Sequence, residues 1–155
     1  MNPELINPFL QATYDVCKQM FNIEIESREI KKTEELYVGK ELNVLISIIG
    51  DVLGSVTYSF PKETALELVN LLSGMNMQEI DIFVTSALGE VGNIISGNAV
   101  SYLAKMNQKC DIAPPQVILG ENRSISLANK ESIVITLQTK IGEFTINLAL
   151  KGNII

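Results

Sequence analysis

Residues 86–98 read Ser-Ala-Leu-Gly-Glu-Val-Gly-Asn-Ile-Ile-Ser-Gly-Asn. A straight α-helix turns about 100° per residue, so four of these positions fall within roughly 40° of one line along the helix. They are Ser86, Glu90, Asn93 and Gly97. The spacing therefore predicts a long helix from about Asp81 to Met106, with Asp81 as its N-cap and one narrow polar stripe. On spacing alone, such a stripe is typical of the solvent-facing side of any amphipathic helix.

A second line on the same predicted helix consists of small residues. It contains Gly89, Gly92, Ser96 and Ala99. A glycine inside a helix costs about 1 kcal/mol relative to alanine, so three glycines in one helix indicate a gain from close approach of a neighbouring element. The expected neighbour is a helix over residues 7–21. The residues expected to point into the core are Ala87, Val91, Ile94 and Ile95.

The first half of the chain is predicted to form a helix, a hairpin and a second helix. Asn7 and Pro8 suit the N-cap and the first position of a helix, so the first helix is expected to begin there. The elements predicted after it are short strands near Ile23, Ile25 and Leu36, strands over 43–49 and 54–60 around a turn at Gly50-Asp51, and a helix after Pro61 that ends at Ser73-Gly74.

The second half repeats this order. The predicted elements after the long helix are a strand over 116–119, a polar loop over 120–130, and strands over 132–139 and 143–150. The hairpins at 41–60 and 131–150 have the same length, and each follows a helix and a short extended stretch. This order predicts one α+β domain over residues 1–155, internally duplicated as helix–strand–hairpin units over about 7–74 and 81–151. An antiparallel sheet would pack against long helices.

The composition excludes several classes of function. Twelve basic and 18 acidic residues give a net charge of −6, which argues against binding nucleic acid or anionic membranes. Histidine is absent, so a catalytic triad based on histidine is impossible. Cys17 and Cys110 form no C-x-x-C motif and are expected to be reduced thiols rather than metal ligands. Short apolar runs and an N-terminus unlike a signal peptide predict a soluble cytoplasmic protein.

The pattern Ser86-x-x-x-Glu90-x-x-Asn93-x-x-x-Gly97 resembles the motif of the CheC/CheX/FliY chemotaxis phosphatases. The opening residues 7–13, Asn-Pro-Phe-Leu-Gln-Ala-Thr, are similar to the start of the CheX branch in particular. The resemblance covers nearly the whole chain. It implies a phosphatase that hydrolyses the phosphoaspartate of a CheY-like response regulator, with Glu90 and Asn93 as catalytic residues. Ser86 and Gly97 would then lie at the partner-binding surface.

The resemblance also implies one site per chain. CheC-like members carry the Glu/Asn pair in both repeats, whereas CheX-like members carry it in one. Here the first helix offers Gln11 and Tyr14 at the matching spacing, and Tyr14 is not an amide. The family further implies a homodimer built through the sheets. No cofactor is expected on this chain, because the Mg²⁺ would belong to the acidic pocket of the regulator.

The chemistry implied by the resemblance suits these residue types. An acyl phosphate is already activated, so its hydrolysis mainly needs a positioned water and stabilised charge. Asn93 can orient that water without adding charge, and Glu90 fits as an anchor for the regulator's lysine. The alternatives are a non-catalytic scaffold or interaction domain of the flagellar switch, an accessory subunit that needs a deamidase partner, and a small-molecule-binding domain. The presence of both Glu90 and Asn93 favours the phosphatase.

Overall fold

A computed structural model of the protein describes residues 2–120, 124–125 and 131–152. The α-helices within these residues are α1 (Ile6–Phe21), α2 (Lys62–Ser73) and α3 (Ile82–Lys105). The strands of the described residues are β1 (Ser27–Thr33), β2 (Tyr37–Val38), β3 (Leu42–Gly50), β4 (Val52–Phe60), β5 (Cys110–Ile112), β6 (Gln116–Leu119), β7 (Ser124–Ile125), β8 (Ser132–Thr139) and β9 (Gly142–Gly152). Of the described helices, none is both long and apolar enough to cross a membrane.

Seven strands form one antiparallel sheet in the order β1-β8-β9-β4-β3, with β5 and β6 both paired to β3. The hairpins β3–β4 and β8–β9 lie side by side through the β4–β9 pair. Each hairpin is flanked by a strand from the other half of the chain, since β1 lies beside β8 and β5 and β6 lie beside β3. This order is symmetric about the β4–β9 pair, as two duplicated units that exchange a strand would be. The duplication itself stays a prediction.

The core lies between one face of the sheet and the helices. Alternate residues of β3 and β4, such as Val44, Ile46 and Tyr58, are fully buried on that face, as the period of two in a strand requires. The opposite face is partly covered by the chain around β2, where the hydroxyl of Tyr37 is hydrogen-bonded to Thr145 at 2.6 Å. The expected α+β class, with an antiparallel sheet packed against long helices, is confirmed.

The start of the first helix differs from the prediction. The side chain of Asn2, not Asn7, accepts a backbone N–H, from Glu4 at 2.9 Å. It caps a short 3-10 turn over Pro3–Leu5 that continues directly into α1. Asn2-Pro3 carries the same signal as Asn7-Pro8, and the first of the two starts the helical turn. Pro8 is tolerated because the first four N–H groups of a helix have no acceptor within it.

Most of the other predicted boundaries hold, but the predictions misplace β1 and miss β5 and β7. Gly74 ends α2 with a positive φ of 72°, which glycine adopts without strain. The strands expected near Ile23 and Ile25 are wrong, because the extended segment is β1, whose residues Ser27–Thr33 are almost all exposed at the sheet edge. β5 was not predicted, since three residues ahead of a Pro-Pro pair show no periodicity. The polar loop predicted over 120–130 is wrong at residues 124–125, which form β7 and pair with β2. Of the remaining residues of that range, only residue 120 lies within the described chain.

Candidate active site

The long helix α3 is held close against the sheet by its line of small residues. A Cβ placed on Gly92 would lie 2.8 Å from Val44 Cγ1 and 3.3 Å from Tyr58 Cδ2. The hydroxyl of Ser96, one turn later, is hydrogen-bonded to the hydroxyl of Tyr58 at 2.8 Å. On the flank of the helix, a Cβ placed on Gly89 would lie 3.6 Å from Val117 Cγ2 of β6. The small residues therefore make room for bulky side chains of the sheet.

The prediction that this line packs against the first helix is wrong. α1 meets α3 on another side, where the hydroxyl of Tyr102 donates a hydrogen bond to the carboxylate of Asp15. That carboxylate raises the pKa of Tyr102, chiefly by accepting this bond. The physical reason for the misassignment is that spacing shows how close a neighbour comes but not whether the neighbour is a helix or a sheet.

The beginning of α3 is fixed by its predicted cap. The side chain of Asp81 accepts the backbone N–H of Val84 at 3.0 Å, and Asp81 itself is extended rather than helical. This cap fixes the residue at which the helix begins. The expectation that Asp81 is the N-cap of the long helix is confirmed.

The outward line of α3 carries the four predicted site residues. Ser86 and Glu90 are exposed, while Asn93 and Gly97 are half-buried. Helical rise places the first and last of them about 16 Å apart along the axis. A Cβ built on Gly97 meets open space within the described chain, so no packing of the described residues requires a glycine there.

Glu90 and Asn93 lie one turn apart on this open line. Side chains three residues apart on a helix are neighbours, with Cβ atoms about 5–6 Å apart. Glu90 presents a carboxylate to solvent, and Asn93 presents a neutral amide that both donates and accepts. A cation on a partner can therefore meet Glu90 while an adjacent group on the same partner meets Asn93. An open helix face suits a macromolecular surface better than a small molecule, which binds in an enclosed cleft.

The matching positions on α1 are arranged differently. Gln11 is exposed and its amide donates to Asp15 on its own helix at 2.9 Å. Tyr14 is half-buried and packs against the core. The first half thus presents an amide bonded to its own helix and a phenol, where α3 presents an exposed carboxylate and an amide. That the first half lacks a site stays a prediction.

The chain is similar to known proteins over most of its length. A model of the family described as chemotaxis phosphatase CheX matches residues 42–138, which is more than half of the chain and includes all of α3. The chain belongs to the CheX family. It is 29% identical over 126 residues to the CheY-P phosphatase CheX of Thermotoga maritima, a match that covers 81% of each protein.

Solved structures of CheX proteins share the fold. CheX from Desulfovibrio desulfuricans matches with a TM-score of 0.82 and 33% identity, over 96% of this chain and 99% of that chain. A chain of the CheX–CheY–BeF3–Mg²⁺ complex from Borrelia burgdorferi matches with a TM-score of 0.79 and 30% identity, over 95% of this chain and 97% of that chain. The resemblance to the CheX branch expected from the motif is therefore confirmed.

One exposed residue of this CheX-family helix was not singled out by the sequence. Ile82, at the first position of α3, is 83% exposed. An isoleucine at the start of a helix is normally assigned to the core, so apolar periodicity gives no warning. The available signal was its spacing of four residues before Ser86, which places it on the outward line.

Proposed function

We propose that this chain is a phosphatase that hydrolyses the phosphoaspartate of a CheY-like response regulator. The observation that carries the proposal is the pairing of Glu90 and Asn93, one turn apart on the open side of a helix that is packed rigidly against the sheet. Membership of the CheX family supports it. So does the existence of a CheX–CheY complex formed by a Borrelia burgdorferi protein that is 30% identical to this chain.

Asn93 would act on the attacking water. Its amide accepts a hydrogen bond from the water and donates another, which fixes the water in line with the phosphorus–oxygen bond that breaks. The amide is neutral, so it approaches an anionic phosphoryl group without repulsion. Because an acyl phosphate is already a good substrate, positioning and charge stabilisation supply most of the required acceleration.

Glu90 would bind a cation of the regulator rather than the phosphoryl group. A carboxylate beside a phosphoryl group would be repelled, whereas a lysine of the regulator's active site offers a charge-assisted hydrogen bond. One helical turn separates Glu90 from Asn93, so the anchored lysine sets how far the amide enters the regulator's pocket. Ser86 would add a hydrogen bond at the rim, and Gly97 would leave space for the regulator's backbone.

The Mg²⁺ in this proposal belongs to the regulator. In residues 2–120, 124–125 and 131–152, no three His, Cys, Asp or Glu side chains come together as a set that could hold a metal ion. Glu90 is the single ionisable member of the four site residues. This chain would therefore supply the water-positioning amide and the anchor, and the regulator's acidic pocket would supply the metal.

We further propose one site per chain in a cytoplasmic homodimer. The regulator is the substrate, so the phosphatase must share its compartment. The exposed edge strand β1 is one surface that a second copy would cover, because an unpaired edge favours association. Light scattering of the complex with a regulator that carries beryllium fluoride tests this. The expected mass is two chains with two regulators, and an active monomer would contradict the dimer.

Phosphate release from a panel of phosphorylated regulators tests the activity. The chain should accelerate release from at least one regulator in the presence of Mg²⁺. Asn93→Ala should abolish most of that acceleration, and Gln11→Ala, at the matching position of α1, serves as the control. Binding of the phosphorylated regulator without any acceleration by the unmodified chain would instead support the non-catalytic scaffold.

A further inference from the structure

Two large apolar side chains are exposed at the first turn of α3. Ile82 is 83% exposed and Phe83, the next residue, is 43% exposed. Single exposed apolar residues are common on protein surfaces. What distinguishes this pair is its place, because it begins the same helix line that carries Ser86, Glu90 and Asn93.

We propose that Ile82 and Phe83 form an apolar anchor for the phosphorylated response regulator and contact its surface beside the phosphorylation pocket. This inference rests on the proposed function. It adds a docking element to the Glu90–Asn93 pair and identifies the regulator surface it recognises as uncharged and apolar.

The helix geometry places the anchor inside the expected footprint of the regulator. Ile82 lies four residues before Ser86, which is about 6 Å along the helix, and eleven residues before Asn93, which is about 16 Å. A standard interface buries about 800 Å² on each partner, and a round patch of that area has a radius of roughly 16 Å. A regulator centred on Asn93 therefore reaches Ile82 at the edge of its contact.

The two ends of the outward line have different chemistry. Towards the C-terminal end of α3 the line passes Gly97, where a built Cβ meets open space within the described chain. Towards the N-terminal end, the line ends in the large exposed side chains of Phe83 and Ile82. A partner can thus approach the helix backbone closely at one end and bury large side chains at the other. Removing large apolar side chains such as these from water contributes favourably to binding.

The distance from the phosphoryl group sets the kinetic effect. A contact about 16 Å from the reacting atoms is the same in the ground state and in the transition state. Such uniform binding changes the affinity for the substrate and leaves the chemical step unchanged. The anchor would therefore select among regulators by KM rather than by kcat.

The test compares three variants. Ile82→Ser and Phe83→Ser remove the anchor one residue at a time. The control is Leu36→Ser, at a residue that is 66% exposed and adjacent to Tyr37 on the opposite side of the sheet.

Affinity is measured for a regulator carrying beryllium fluoride, and single-turnover dephosphorylation is measured at saturating phosphatase. We expect each anchor substitution to raise the Kd about tenfold, which corresponds to 1.4 kcal/mol, with an unchanged saturating rate. Leu36→Ser should change neither.

The outcomes separate this inference from the proposed function. Suppose that the unmodified chain is active and that Ile82→Ser binds the regulator with the same Kd as the unmodified chain. The proposal of an apolar anchor is then wrong, while the proposed phosphatase activity is unaffected. A slower saturating rate at unchanged Kd would also overturn the anchor. If the unmodified chain accelerates no regulator's dephosphorylation, the proposed function fails, and the anchor fails with it. Ile82→Ser decides alone if circular dichroism shows that Phe83→Ser is unfolded.

Discussion

The hydroxyl of Tyr58 is hydrogen-bonded to the hydroxyl of Ser96 at 2.8 Å, with both residues fully buried. This bond joins the centre of the sheet to the helix that carries Glu90 and Asn93. Burial raises the pKa of Tyr58 well above its ordinary value, so the phenol is neutral at neutral pH and can take part in this bond. The bond is one of the contacts that hold α3 against the sheet with its line of Ser86, Glu90 and Asn93 turned outward.

A double-mutant cycle measures how much the hydrogen bond between Tyr58 and Ser96 contributes to the free energy of unfolding. Tyr58→Phe leaves the buried hydroxyl of Ser96 without its partner and should lower the free energy of unfolding by about 1–2 kcal/mol. Ser96→Ala in the same chain should restore part of that loss, because it removes the orphaned group. Urea unfolding of the four proteins gives the coupling. Strict additivity of the two substitutions would show that the bond contributes nothing.

Gly92 and Gly89 offer a matched pair for the packing of the helix on the sheet. A Cβ at Gly92 would lie 2.8 Å from Val44 Cγ1, which is itself buried, so Gly92→Ala forces the helix outward and should cost about 1–3 kcal/mol. The nearest atom to a Cβ at Gly89 is 3.6 Å away, an ordinary contact. Gly89→Ala should therefore gain up to about 1 kcal/mol from helix propensity. Thermal unfolding that ranks the two variants in the reverse order would contradict the packing described.

Gly97 should separate stability from activity. Gly97→Ala adds a methyl group to open space, so it should stabilise the helix by up to about 1 kcal/mol. If the regulator's backbone approaches this position, the same methyl group should weaken its binding. Calorimetric unfolding and regulator affinity are measured on the same preparation. A variant that is more stable and binds the regulator normally would remove Gly97 from the partner-binding surface.

The two cysteines should differ in reactivity. Cys17, on α1, is 4% exposed, and burial raises its pKa to about 12, so almost no reactive thiolate is present at pH 8. Cys110 is only partly buried. A thiol reagent should therefore label one cysteine rapidly in the native protein and the second only on unfolding. Cys110→Ser should remove the fast phase. Fast labelling that survives in Cys110→Ser would show that α1 is not packed as described.

Local signals in the sequence predicted where helices begin and end. They did not predict which distant segments of the chain pack against each other. Asp81 and Gly74 were identified because a cap depends on a few neighbouring residues. Asn7 was misread because the same Asn-Pro signal occurs five residues earlier, at Asn2, and only one of them can start the helix. The partner of Gly92 was misassigned because the close contact comes from Val44, which lies far away in the sequence.

At the candidate site too, local periodicity in the sequence predicted the geometry, whereas the roles of the residues did not follow from it. The periodicity of α3 placed Ser86, Glu90 and Asn93 on one line, and the structure puts that line on the accessible side of the helix. Their catalytic roles come from the family resemblance and stay predictions. The exposure of Ile82 could have been read from its spacing of four residues before Ser86, but apolar periodicity alone assigns an isoleucine at the start of a helix to the core.

The matching positions of the first half should be dispensable for turnover. Gln11→Ala removes an exposed bond to Asp15, and Tyr14→Phe removes a hydroxyl at the position where an amide would be required. Phosphate release by each variant should stay near that of the unmodified chain. A large loss of turnover in a variant whose circular dichroism is unchanged would mean that α1 carries a second site.

Glu90 and Asn93 should be separable by kinetics. If Asn93 orients the water, Asn93→Ala removes an interaction made mainly in the transition state, so kcat should fall by on the order of 100-fold with little change in binding. If Glu90 anchors a lysine of the regulator, Glu90→Ala should weaken the ground-state complex as well. Single-turnover rates at saturating phosphatase and the Kd for a regulator with beryllium fluoride measure the two effects independently.

Asn93→Asp is the sharper test, because it nearly preserves size while placing a carboxylate against an anionic phosphoryl group. Like charges repel strongly where an interface excludes water. The variant should therefore be at least as slow as Asn93→Ala and should bind the phosphoryl mimic less tightly than Asn93→Ala does. The repulsion should also shrink as the pH is lowered through the range in which an aspartate is protonated. A single-turnover rate for Asn93→Asp near that of the unmodified chain would mean that Asn93 does not face the phosphoryl group.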